Sequence, residues 1–310
     1  MPSTCQRPVA VNAPANDRPA RPAPTTRNER TAPASPTTIR GLAPRRKPDM
    51  FDFNRYSQVA GKLEVDDLDI ASAFREKPLD EDVLRCVRYM HDVEHHTTCY
   101  LRNLLNTKAH HDPEITDFLT IWNYEEHWHG EALGQVLRAH GEPAGATRVA
   151  AMRERLGWKL TGSPLPWLAL SSVTRHFLAV HMVFGTINEW TTQGGYARVV
   201  TLADHPTLGE LLRRIMKQEG RHIDYYRTKS VELLEGDRAA QKTVRRFLKV
   251  LWSPVGTKVM PTDETRHLVQ TLFGGPEGTV ISDRVDRRID ALPGLEGLGL
   301  MHGAVAKYAA

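Results

Sequence analysis

The chain has 310 residues, 40% hydrophobic and 25% charged, with a formal net charge of +4 and a sequence pI near 9.0. This is the composition of an ordinary water-soluble globular protein, and no stretch approaches the roughly 20 consecutive apolar residues of a membrane-spanning helix. The N-terminus lacks the apolar core of roughly 7–15 residues that marks a secretory signal, and Cys5, Cys86 and Cys99 form neither a CxxC pair nor an even disulfide set, so a cytoplasmic protein is expected.

Residues 1–50 hold 10 of the 20 prolines, eight arginines and one lysine against three acids, a net +6 that leaves −2 for residues 51–310. The basic pI therefore belongs to the tail. A basic tail on a slightly acidic body is a poor footprint for nucleic-acid binding, and none is expected. With no apolar periodicity, residues 1–50 cannot bury enough surface to offset their ordering entropy. They are expected to be a disordered tail, passive or docking, ahead of one helical domain over 51–310.

From about residue 78 the apolar positions recur at helical steps. The first stripe is Val83, Val87, Met90, Glu94, Thr97, Leu101 and Leu104. The second is Ile115, Phe118, Trp122, Glu126, His129, Leu133 and Val136, opened by Asp112-Pro113 and closed by Gly141. Leu178, Met182, Gly185, Glu189, Thr192, Tyr196 and Val199 form the third. The fourth, opened by Asp204-His205-Pro206 and followed by Gly236, is Leu208, Leu212, Ile215, Glu219, His222 and Tyr226. Proline at the first helical position and glycine past the end are the expected boundaries. A fifth helix is expected over 238–252. Strand-like alternation is scarce, so the fold class is all-α, a helical bundle.

Each of the four stripes is apolar except in its middle, where a glutamate stands. Residues i and i+3 share a helix face, so Glu126-x-x-His129 and Glu219-x-x-His222 each aim two side chains at one point. Glu94 and Glu189 supply a lone carboxylate from the other two helices. Buried carboxylates are costly unless paired or bound to metal, and oxygen and imidazole donors suit iron or manganese. One Glu from each of two helices, with Glu-x-x-His from each of two more, is a known way of holding two metal ions inside a bundle. The chain's 19 Glu and 14 His would give roughly one Glu-x-x-His by chance, so a single match carries nothing. The third match, Glu264-x-x-His267, follows Pro261-Thr262-Asp263; it reads as a first-turn acid facing water, not a ligand. The other two lie mid-helix, each about one helix length after a lone stripe Glu.

Four segments carry a family resemblance: Glu94 in VEHHTTCYLRNLLNT, EEHWHG over 125–130, Glu189-Trp190-Thr191-Thr192, and Glu219-Gly220-Arg221-His222. Over roughly 50–270 the chain resembles the soluble acyl-acyl-carrier-protein desaturases, whose motifs read approximately TEE…YxxMLNT, W…EENRHG, ER-x-T and DEKRH. Trp122, four residues before Glu126, and Thr192, three after Glu189, match as well, and Val259-Met260-Pro261 is similar to a later family segment. The resemblance implies a ferritin-like helical bundle with a di-iron centre, two Fe²⁺ held by Glu94, Glu126, His129, Glu189, Glu219 and His222, with Thr192 on the oxygen side. Trp128 stands where the family has Arg, and Gln218 where it has an Asp that orients a ligand histidine. Gly220, inside the last motif, should cost the helix about 1 kcal/mol relative to Ala.

The implied activity is O₂-dependent insertion of a cis double bond into a fatty acyl chain on acyl carrier protein. The implied electron donor is ferredoxin, and a homodimer is expected. The site then needs an apolar channel, for which Phe177, Leu178, Met182 and Phe184 are candidate walls. It also needs a basic docking face, for which Arg102, Lys108, Arg213, Arg214, Lys217, Arg245, Arg246 and Lys249 are candidates. The alternative is a related di-iron hydroxylase or N-oxygenase. A more distant one uses His91-Asp92-Val93-Glu94-His95, which fits the H-x-x-E-H pattern of zinc peptidases. A radical-bearing subunit of ribonucleotide reductase would place Tyr one turn after the first ligand His, and that position is Leu133.

Overall fold

The computed structural model describes residues 51–309; the tail expected over 1–50 lies outside them. The described residues are helical, with no strand among them, and none of their helices is long and apolar enough to cross a membrane.

Two short helices, α1 (Phe53–Val59) and α2 (Ile70–Glu76), lead into α3 (Glu81–Leu105) and α4 (Pro113–Ala139). Next come α5 (Ala146–Leu156), α6 (Trp158–Gly162) and α7 (Pro164–Val173), then α8 (Phe177–Ala203) and α9 (Pro206–Leu234). The chain ends with α10 (Arg238–Leu251), α11 (Thr262–Phe273), α12 (Gly275–Asp290) and α13 (Leu300–Ala309). The helices α3, α4, α8 and α9 are the long ones and form the bundle, α3 pairing with α4 and α8 with α9, while α10, α11 and α12 pack around the outside.

The boundaries fall where local chemistry puts them. The Asp112 carboxylate accepts from Ile115 N–H at the start of α4, with Pro113 as the first helical residue; this satisfies an amide that the helix itself leaves free. At α9 the cap is His205, whose Nδ1 accepts from Leu208 N–H, and Pro206 follows. The two-residue connection from α8 works because Asp204 takes a left-handed conformation, φ 42°, which Asp tolerates better than most residues. The fifth expected helix is α10, ending at Leu251.

The apolar interior divides in two. One cluster gathers Val83 and Val87 of α3, Leu133 and Val136 of α4, Tyr196 and Val199 of α8, and Leu208, Leu212 and Ile215 of α9. The other gathers Leu104, Ile115, Phe118, Trp122, Phe177, Met182, Tyr225 and Tyr226. Along α3, α4 and α9 the chain passes from one cluster to the other through a short buried polar stretch. Those stretches carry Glu94, the Glu126/His129 pair and the Glu219/His222 pair.

Candidate metal centre

The structure brings all six proposed ligands together. Glu94, Glu126, His129 and Glu219 place one ligand atom each within 4.8 Å of one another, and so do Glu126, Glu189, Glu219 and His222. Glu126 and Glu219 belong to both groups. Two adjacent subsites thus share two carboxylates. Every one of the six is buried, with His129, Glu219 and His222 wholly inaccessible.

Four of the atoms facing the middle lack partners, while His222 Nδ1 is hydrogen-bonded to Glu219 Oε2. Glu94 Oε2, Glu126 Oε1, His129 Nδ1 and Glu219 Oε1 are buried without a hydrogen bond. Around them, His129 Nδ1 lies 3.3 Å from Glu219 Oε1, and His222 Nδ1 lies 3.1 Å from both Glu126 Oε1 and Glu219 Oε2. Orphaned buried polar atoms are costly and therefore rare. Four pointing at one spot fit a cation that has several open coordination positions.

The outer atoms, by contrast, are held. His129 Nε2 donates to Gln218 Oε1 at 2.9 Å, and Gln218 Nε2 donates to the Gly61 carbonyl at 3.1 Å. His222 Nε2 donates to Glu125 Oε2 at 2.9 Å, and Glu125 also accepts from Tyr56 OH, Gly61 N–H and Arg221 Nη2. With both Nε2 atoms engaged outward, both Nδ1 atoms turn inward, the arrangement that fixes the tautomer of a metal-bound imidazole. Trp122 Nε1 donates to Glu189 Oε1 at 3.0 Å, and Tyr196 OH donates to Glu94 Oε1.

The electrostatics repeat the geometry. Burial raises the carboxyl groups of Glu94, Glu126 and Glu189, and repulsion among the neighbouring carboxylates raises Glu126 and Glu189 further. Glu219 goes the other way: burial would raise it, but the two imidazoles holding it outweigh that and keep it well below the usual range. Burial would lower His129 and His222, yet the surrounding acids raise both. Without a cation, the cluster balances its charge by keeping protons. Two divalent ions would neutralise four carboxylates and release them.

The cluster opens on a cavity of about 560 Å³, well within the size of small-molecule sites. Glu94, Glu126 and Glu189 reach it, and Thr97, Asn188 and Thr192 add polar groups. Most of its wall is apolar: Val93 and Tyr100 of α3, Trp122 of α4, Trp167 and Leu170 of α7, Phe184 of α8, and the turn over residues 253–259. Of the four expected wall residues only Phe184 reaches the cavity. Phe177 and Met182 are buried in the second apolar cluster and Leu178 packs against it.

Other sequence candidates go elsewhere. Glu264 does lie in the first turn of α11, but it forms a two-pronged ion pair with Arg85 at 2.9 and 3.0 Å and does not simply face water. In the H-x-x-E-H segment His91 accepts Gly145 N–H at Nε2 and contacts Asp92 at Nδ1, while Glu94 turns to the central cluster. The three side chains do not converge. Among the docking candidates, Arg213 and Arg214 are paired with Glu210, and Arg214 also with Asp67.

Sequence reading missed Glu125, Tyr56 and Arg221 as the outer holders of His222, and Tyr196 as the partner of Glu94. The signals were present. Glu125 is the first of two consecutive glutamates, and Tyr196 sits seven residues after Glu189 on the same stripe. No protein-family model matches the chain, and no curated protein matches it either.

Proposed function

We propose that the chain is a ferritin-like, di-iron acyl-acyl-carrier-protein desaturase that uses O₂ to place a cis double bond in a carrier-bound acyl chain, with ferredoxin as electron donor. The observation that carries this reading is the buried four-carboxylate, two-histidine cage with orphaned inward atoms, opening on a mostly apolar cavity. The motif resemblance supplies the substrate class.

Glu94 and His129 would hold one iron, Glu189 and His222 the other, with Glu126 and Glu219 shared. When bound, the pair supplies an oxidant drawn from O₂ and two external electrons, which an unactivated C–H bond requires because it offers no acid or base handle. The chain's own residues do the rest. Trp122 fixes the position of Glu189 at the cavity edge. Val93, Tyr100, Trp167, Leu170 and Phe184 give an extended acyl chain an apolar path and keep water out. Holding one methylene pair against the cage turns a reaction of many equivalent C–H bonds into a reaction of one. Thr192, one turn after Glu189 and facing the cavity, offers a hydroxyl beside the reacting carbons that can hold a proton or a water.

The test is turnover with purified protein, iron, ferredoxin, its reductase and a series of acyl-carrier-protein thioesters, with products read by mass. Loss of two hydrogens is the expected result. Gain of one oxygen would indicate the hydroxylase alternative, and unchanged substrate at every chain length would refute the proposal.

A further inference from the structure

A second group of ligating side chains lies one residue on from the central ligands, about 100° round each helix. His95 follows Glu94 on α3, and His127 follows Glu126 on α4. Glu131 stands four residues after His127 and so shares its face. One ligand atom from each of His95, His127 and Glu131 lies within 4.8 Å of the others.

His95 is only 8% exposed, and its Nε2 is buried without a hydrogen bond. It points at Glu131 Oε1 from 3.5 Å, too far for a hydrogen bond. That separation is nonetheless close to the edge of a tetrahedron built on metal bonds of roughly 2.0–2.2 Å. The ring cannot easily turn away. It packs closely against Gly130, where a Cβ would stand 2.7 Å from His95 Cδ2 and 2.8 Å from Nε2, and makes edge contacts with the rings of His91 and His127 at centroid distances of 4.6 and 5.6 Å. Arg138 approaches the other Glu131 oxygen, Oε2, at 3.8 Å, which leaves Oε1 for His95. His127 is exposed, so solvent reaches the site.

We propose that His95, His127 and Glu131 form a mononuclear site for a zinc-class divalent ion, separate from the central cage and independent of the function proposed above. Two imidazoles and one carboxylate are a zinc donor set, with water completing the tetrahedron. The site joins α3 to α4 at the level of Glu94 and Glu126. An ion there fixes the rotation of both helices that turns those two carboxylates inward.

The test is calorimetric titration of the metal-free full chain with Zn²⁺, wild type beside His127→Ala and Glu131→Ala. Neither substituted side chain is buried, and circular dichroism checks that both variants stay folded. Each variant is expected to bind one equivalent fewer than wild type. Co²⁺ in wild type should give a visible absorption band that both variants lose. Equal stoichiometry and equal Co²⁺ spectra in all three proteins would overturn the proposal. So would loss of more than one equivalent, since the substitutions would then be acting on the central cage.

Discussion

Glu125 accepts from Tyr56, Gly61, Arg221 and His222, and it is fully buried. Burial alone would raise its carboxyl group. The hydrogen bonds and charges of His222 and Arg221 outweigh that and bring it down to about 2 from an ordinary 4.5. A folded value below the unfolded one stabilises the fold above about pH 4.5, and that stabilisation is lost as pH falls through the folded value. At neutral pH it is on the order of 3 kcal/mol. Glu125→Gln removes the charge and also breaks the pattern of donors. An amide has one carbonyl acceptor, and its NH₂ must then face another donor among the four. The expected loss is about 2–4 kcal/mol in urea denaturation of the metal-free chain. Because His222 loses its orienting partner, metal affinity should also fall about 10–100-fold, read by competition against a chelator of known affinity. A stability loss below about 1 kcal/mol with unchanged affinity would refute this account of how His222 is held.

Three further outcomes follow from named contacts. In the metal-free chain Glu126, Glu189 and His222 are all raised above their ordinary values; groups of that kind favour the fold at low pH and cease to as pH rises through their folded values. Melting temperature without metal should therefore fall as pH rises above the ordinary values of 4.5 for the two glutamates and 6.5 for the histidine, and a bound divalent ion should flatten the curve; a flat metal-free curve would count against the cluster. Gly220 has nothing within 4 Å of a built Cβ, so Gly220→Ala should stabilise by about 0.5–1 kcal/mol through the unfolded chain and leave metal stoichiometry unchanged. Gly185 is the opposite case, because a Cβ there collides with the Tyr226 ring. Gly185→Ala should cost about 1–3 kcal/mol in the same denaturation assay.

Sequence reading reached the parts that periodicity controls. The four long helices were visible because each carries a stripe several turns long, bounded by Pro113, Pro206, Gly141 and Gly236. The six clustered side chains were visible because a carboxylate on such a stripe has no apolar reason to be there. What escaped is set by levels and loops. A stripe says which face turns inward but not what lies opposite at a given height, so Phe177 and Met182 could not be told from Phe184. The segment PLPWLALSSV of α7 is apolar nearly all round and offers no phase, yet Trp167 and Leu170 form a wall of the cavity. Residues 253–259 have no helical period at all. Glu125 needed knowledge of where α9 runs, because its partner His222 is 97 residues away.

The two imidazoles are held from a single backbone unit. Gly61 N–H donates to Glu125, which holds His222, and the Gly61 carbonyl accepts from Gln218, which holds His129. The bond to Gly61 fixes which end of the Gln218 amide faces His129: its NH₂ is already engaged, so its oxygen accepts. His129 is therefore oriented by the amide, through a neutral hydrogen bond weaker than the charge-assisted one a carboxylate would make. It differs in basicity, because a carboxylate partner raises the electron density of a ligating imidazole and a neutral amide does so far less. His222, facing a carboxylate, is the stronger donor, and His129 the weaker. The cage is thus symmetric in its count of ligands and asymmetric in their strength. The subsite of Glu94 and His129 should release its ion first on chelation, while that of Glu189 and His222 holds longest.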